Sequence, residues 1–272
     1  MIFGVDSCFE MCMMINTVTS QLYATVCKGP TMKTTLKYTL AASAVAALTA
    51  CGGGGGGGTG STAATETLYP LSTILANYVN NSTSTYFTVS GSLTMGNNTD
   101  ALSGSGTYRE TTTSSTFNGS SALRKTQTTN GTLIVDGVSE PIDGVAYYYF
   151  NSNNQPLGSS SSTSYCVTSE IKSIPMYVAA GQSGDWYTTD CYTNSSRAVK
   201  VGTAVTQYSV VYVSEKTADL VMNQTFTDSS GRLTAPGRYV YRINDTGGIT
   251  FKEQSATITY GDASLSMVIR AN

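Results

Sequence analysis

Histidine is absent from all 272 residues. That removes the commonest general base, the usual triad base and the commonest metal ligand together. Charge is scarce too, with Asp, Glu, Lys and Arg making up 12% of the chain, about half the usual share. No Lys/Arg cluster interleaves with aromatic residues, so the footprint of a nucleic-acid binder is missing and no such partner is expected. These shortages point to a non-enzymatic protein, with no catalytic, cofactor-binding or metal-binding residue assigned and no cofactor expected.

What remains is polar but weakly charged, rich in Ser, Thr, Asn, Gly and Tyr. Hydrophobic residues at 40% and eighteen tyrosines supply enough core material to argue against a disordered chain. The combination suits an exported, β-rich protein.

Met32-Lys33-Thr-Thr-Leu-Lys37 forms a basic segment, and Leu40 to Ala50 an apolar run of mostly small residues. The run is too short for a bilayer-spanning helix, which needs roughly 20 apolar residues. Leu48-Thr49-Ala50-Cys51 closes it, and this stretch resembles the lipobox of bacterial lipoproteins. The resemblance implies a diacylglyceryl group on the Cys51 thiol and cleavage that leaves Cys51 first. Residues 32–50 then form the signal peptide. Met32 sits directly before the basic residues, so residues 1–31 are expected to be an over-extended reading frame outside the mature protein.

Residues 51–66 read as a Gly-rich tether and 67–272 as a single β-rich domain. A flexible coil of ~15 residues has an end-to-end distance of roughly 20 Å. The residue after the lipid cysteine is Gly52, not Asp; by resemblance to the enterobacterial sorting pattern this implies the outer membrane. The expected location is the bacterial cell envelope, lipid-anchored in that membrane, with the periplasmic face favoured over the cell surface. Fifteen basic residues less Lys28, Lys33 and Lys37 leaves twelve, and seventeen acidic less Asp6 and Glu10 leaves fifteen. The mature body is mildly acidic, which disfavours a second, electrostatic anchor on anionic lipid.

Three of the six cysteines (Cys8, Cys12 and Cys27) lie upstream of the cleavage point, Cys51 carries the lipid, and Cys166 and Cys191 remain. Two cysteines in an oxidising compartment most simply make one disulfide. It would close a loop of about 26 residues, worth roughly 3.5 kcal/mol in the chain-entropy model.

Leu68, Leu71, Ile74, Leu75, Tyr78 and Val79 recur at helical spacing, predicting one amphipathic helix from Pro70 to Asn80 with its stripe in the core. From Phe87 onward the period becomes two. Phe87, Val89, Leu93 and Met95 alternate with Thr and Ser, and Tyr239, Tyr241 and Ile243 share a face, as do Ala256, Ile258 and Tyr260, then Leu265, Met267 and Ile269. Tyr208 to Val213 is apolar on both faces and predicts a central strand. Asn130-Gly131, Asp136-Gly137, Asp143-Gly144, Thr246-Gly-Gly248 and Gly261-Asp262 are expected turns. Asn151 to Ser164 reads as a polar loop, and Ile171 to Ala180 as a short helix or irregular segment. Turns this short dictate antiparallel connections. The expected fold is mainly β: a single antiparallel, strongly curved sheet, half-barrel-like, of roughly ten strands, preceded by one N-terminal amphipathic helix.

Asp143-Gly-Val-Ala-Tyr-Tyr-Tyr-Phe150 and Gly184-Asp-Trp-Tyr187, placed in such a meander on a lipid-anchored chain, resemble the LolA/LppX group of envelope lipid-handling proteins. The resemblance implies a curved sheet closed by helices over an apolar cavity that holds acyl chains. Partners are then the membrane, through the lipid on Cys51, and a lipid or other apolar ligand; protein partners are unassigned.

Ser169-Glu-Ile-Lys172 matches the S-x-x-K spacing of serine/lysine acyl enzymes, without the companion S-D-N and K-T-G motifs. Asp228-Ser-Ser-Gly231 resembles the start of a cation loop but lacks a following bidentate carboxylate, and is expected to be a hairpin turn. Tyr147, Tyr148 and Tyr149 must alternate across a strand, so one set faces a ligand cavity, a carbohydrate-binding surface or the core. Three functions follow: a carrier or binder with a cavity of several hundred Å³, a structural or interaction module without one, and a Ser169/Lys172 hydrolase. Intact-mass and N-terminal analysis of the mature protein should find a diacylated Cys51 as the first residue; a product retaining residues 1–31 would refute the assigned start.

Overall fold

The computed structural model describes residues 67–260 and 263–272. Cys51, the signal and tether, the assigned start and the Gly261-Asp262 turn lie outside the described residues, as does the side chain of Tyr260.

The chain runs β1 (Leu68–Tyr69), α1 (Leu71–Asn80), β2 (Thr83–Met95), β3 (Asn98–Phe117), β4 (Ser120–Val135), β5 (Val138–Phe150), β6 (Pro156–Ser160), β7 (Tyr165–Ile171), β8 (Val178–Ala179), β9 (Ser183–Tyr192), β10 (Lys200–Ser214), β11 (Thr217–Asp228), β12 (Leu233–Asn244), β13 (Ile249–Tyr260) and β14 (Ala263–Ala271). Twelve of these strands form a closed antiparallel barrel, in the order β10-β11-β12-β13-β14-β2-β3-β4-β5-β6-β7-β9. β1 and β8 pair separately.

The open, half-barrel sheet expected from sequence is therefore incorrect. The last strand returns to the first of the ring, from Ala263 opposite Met95 to Ala271 opposite Phe87. On the other side β6 and β7 bridge β5 to β9. β6 lies inside the supposed polar loop, where Pro156-Leu-Gly-Ser-Ser160 carries no apolar alternation to betray it. The helix is also not the first element, since β1 precedes it, and 172–180 forms no helix.

The two-residue period does its expected work. Phe87, Val89, Leu93, Leu265, Met267 and Ile269 are buried inside, while Thr88, Ser90, Ser266 and Arg270 point to solvent. That polarity is the reverse of a membrane-spanning barrel, whose outer face is apolar. Asp136-Gly137 and Thr246-Gly-Gly248 make the expected turns, with Asp136 at φ 48° and Gly137 at φ 76°. Asn130-Gly131 and Asp143-Gly144 do not; both lie within unbroken strands. Gly131 serves close approach instead, because a Cβ there would stand 2.9 Å from the Gly106 Cα. The Tyr208–Val213 prediction holds in part: β10 pairs on both sides up to Ser209, but Val211, Tyr212 and Val213 stand exposed beyond its β9 neighbour.

Around eight strands, side chains alone fill a barrel; a wider ring leaves a lumen. Here α1 plugs one end. Leu71, Ile74, Leu75 and the β1 residue Tyr69 pack on Tyr208, Val210, Leu220 and Ile243. The opposite end is filled by side chains from β2 to β5, β13 and β14, among them Phe87, Leu133, Ile142 and Leu265.

The helix C-terminus, which has no basic residue of its own, is clamped by the wall. Lys125 Nζ donates to the carbonyl oxygens of Tyr78 (2.8 Å) and Asn81 (2.9 Å) and pairs with Glu110 at 3.2 Å. Thr112 donates to the Val79 carbonyl at 2.6 Å, and Thr83 to Glu110 at 2.9 Å. Asn77 donates to the Gly247 carbonyl at 2.9 Å, tying the middle of α1 to the β12–β13 turn. The bonds to the Tyr78 and Val79 carbonyls answer groups that every helix end leaves unpaired. Lys125→Met strands a buried carboxylate and two carbonyls, and should cost about 3–5 kcal/mol in urea denaturation. Adding Glu110→Leu should restore part of that loss; no recovery would mean the ion pair is not the operative contact.

Candidate functional site

Between the plug and the packed end lies a cavity of about 160 Å³. The helix contributes Leu75, Tyr78 and Val79 to its lining; β5 contributes Ala146, Tyr148 and Phe150; the strands from β9 to β12 add Trp186, Tyr187, Met222, Tyr239 and Tyr241. It extends to a polar margin at Asn154, Ser161 and Ser164, around the short β6–β7 hairpin.

Local sequence explains how these rings arrive. In Tyr147-Tyr148-Tyr149, alternation sends Tyr148 inward to the cavity. The other two go outward: Tyr149 stacks on Phe117 with centroids 4.4 Å apart, and Tyr147 lies under the Arg124 guanidinium at 5.1 Å. Trp186 and Tyr187 are consecutive yet both line the cavity, because a bulge intervenes. Tyr187 pairs with Thr206 and Asp185 with Gln207, leaving Trp186 as the extra residue. Sequence grouping had already placed Tyr239 and Tyr241 on one face and Tyr78 in the helix stripe. What it lacked was the ring closure that brings them to the same space.

The aromatic rings form a continuous relay. Tyr78 meets Tyr241 edge-on at 5.6 Å, Tyr241 meets Phe251 at 5.7 Å, and Phe251 meets Tyr108 at 5.2 Å. Desolvation pushes the phenols of Tyr78, Tyr148, Tyr187 and Tyr241 above their ordinary value, and the nearby Glu110 carboxylate adds to this for Tyr78, Tyr148 and Tyr241. The wall is thus uncharged and disfavours a charged guest.

Two residues of this lining carry a buried side-chain oxygen with no hydrogen-bond partner in the protein, Gln127 Oε1 and Thr168 Oγ1. Gln127 also borders a smaller void of about 10 Å³ shared with Gln254, whose Nε2 is likewise unpartnered. Buried polar atoms are normally satisfied, so the interior is equipped to hold something with hydrogen-bonding capacity.

Cys166 and Cys191 stand opposite each other on β7 and β9 and are disulfide-bonded, with Cα atoms 4.0 Å apart. Both line the cavity. The pairing expected from sequence is present, and it pins the narrow β6–β7 hairpin to the ring.

Ser169 and Lys172 are not brought together. Ser169 is the extra residue of a bulge in β7, and its hydroxyl donates to the Thr188 carbonyl at 3.4 Å. Lys172 is half-exposed and paired with Glu170. The hydrogen bond that Lys172 donates to that carboxylate raises the lysine pKa, the wrong direction for a general base. Asp228 makes the expected hairpin turn, its Oδ1 accepting from the amides of Ser230 (2.9 Å) and Arg232 (3.0 Å). Among the described residues no cluster of three or more Cys, Asp or Glu side chains is poised to hold a metal ion.

Compared with protein-family models, with curated proteins and with solved structures, the chain matches none.

The raised phenols define an alkaline limit. The folded state holds these protons more tightly than the unfolded chain, whose tyrosines ionise near pH 10. Their contribution is complete below that pH and is lost as pH rises above it. Tyrosinate absorbance from the four cavity rings should therefore appear together with loss of near-ultraviolet circular dichroism, above pH 10. Their ionisation in a chain that stays folded would contradict a dry wall.

Proposed function

We propose that this chain is a bacterial lipoprotein, anchored in the outer membrane through Cys51 and facing the periplasm, whose barrel binds a small, neutral, amphiphilic molecule without transforming it. The observation that carries the binding half is the cavity of about 160 Å³ that combines aromatic walls with the unpartnered Gln127 Oε1 and Thr168 Oγ1. Volume limits the guest. An engineered cavity of ~150 Å³ admits benzene, whereas the several hundred Å³ expected of a lipid carrier is not there. A single substituted ring or a short branched chain fits the space better than a diacyl lipid.

The anchoring half rests on Leu48-Thr49-Ala50-Cys51 and the glycine run behind it. The disulfide supports an oxidising compartment, and the Ser/Thr outer wall supports a barrel bathed in water. A second reading, an interaction module, draws on the close packing of the far end and on apolar side chains exposed at the rim.

Extraction and mass spectrometry of Cys51→Ser protein purified from the periplasm should recover a reproducible small molecule. In parallel, 4-methylphenol at a hundred times its dissociation constant should stabilise the protein by about 2.7 kcal/mol. Ala146→Leu, which fills the cavity, should abolish that shift and leave the fold intact. With neither a co-purifying molecule nor stabilisation, the binder reading falls and the interaction module stands.

A further inference from the structure

Exposed apolar side chains occur in several parts of the barrel, Ile134, Val138 and Leu233 among them, and one group of them lies at the plugged end. Leu68, Met176, Tyr177, Val211, Tyr212 and Val213 are each between 37% and 67% exposed, and all belong to segments joined at the plugged end of the barrel. β1 pairs with β8, Leu68 opposite Ala179 and Tyr69 opposite Val178. The Ser72 amide donates to the Met176 carbonyl at 3.4 Å, and the Gly181 amide to the Val210 carbonyl at 2.7 Å. Tyr212 continues the inward phase of Tyr208 and Val210 but stands above the rim, where no wall remains to cover it. It lies near Tyr69, at the base of the helix.

The same rim is where the described chain begins. Thr67 Oγ1 donates to the Glu215 carbonyl at 2.8 Å, in the β10–β11 turn. Thr67 is sixteen positions beyond Cys51, a stretch that spans about 55 Å at most. The link to Cys51 therefore leaves the barrel from this rim.

We propose that the rim formed by Leu68, Met176, Tyr177, Val211, Tyr212 and Val213 rests on the bilayer surface that holds Cys51. The inference builds on the lipid-anchor reading and adds an orientation to it. Its chemistry is interfacial: tyrosines prefer the headgroup region, with an apolar ring in the acyl boundary and a hydroxyl in water. Attachment supplies the rest, since a short tether turns a weak contact into an intramolecular one at roughly millimolar effective concentration. Glu215, Lys216 and Asp245 at the tip leave no basic excess, so the contact does not draw on anionic lipid.

The test uses lipidated mature protein in phosphatidylcholine vesicles carrying a headgroup-level quencher. A fluorophore goes on Tyr212→Cys, on Met176→Cys as a second rim position, or on Asn97→Cys in the β2–β3 turn at the opposite end. Both rim probes should be quenched several-fold more than the Asn97 probe. Equal quenching at the two ends, or rim probes shielded by a second copy in a dimer, overturns the orientation while leaving the anchor intact. Mass spectrometry showing no diacylglyceryl on Cys51 in the same samples overturns the anchor reading, and the orientation with it.

Discussion

Twelve strands closed into a ring enclose more volume than their own side chains fill, and the rest of the structure answers that constraint. A barrel of about eight strands packs solid; this one needs an internal body at one end and large rings along its walls. The ten-residue α1 supplies the body, and the tyrosine-rich inner faces supply the rings. The cavity is the residue of that filling, lying on the side where the short β6 and β7 contribute little bulk. Its polar margin and its aromatic floor both follow from where the wall is thinnest.

Holding a helix across the end of a barrel raises a second difficulty, because its terminal carbonyls would be buried away from water. Lys125 resolves it from the wall, with Glu110 balancing its charge and Thr83 and Thr112 completing the network. A buried ion pair is not in general a large net stabiliser. Its value here is positional, since a lysine with three donors satisfies the Tyr78 carbonyl in the last helical turn, the Asn81 carbonyl just beyond it and a carboxylate from one point. The Lys125 ammonium also sits 4.9 Å from the Tyr78 ring, so the same side chain that caps the helix orients a wall of the cavity.

Much of this was legible in sequence, and what was not has definite causes. Period-two alternation identified the inward residues of β2, β12, β13 and β14, and helical spacing identified α1. Cysteine counting found the Cys166–Cys191 pair. The closure was hidden because β6 has almost no apolar signal and because ring pairing between Phe87 and Ala271 joins residues far apart in the chain. Asn130-Gly131 misled for a different reason: a glycine signals freedom from a side chain, and a strand crowded against Gly106 needs that as much as a turn does. Trp186 and Tyr187 share one cavity only through a bulge, which alternation alone cannot reveal.

The pairing of β2 with β14 also governs when this molecule can acquire its structure. The first barrel strand waits for the last nine-residue strand before the ring can shut. Until then β2 presents an unpaired edge and the lumen stands open, so a chain without β14 in place has no closed barrel to adopt.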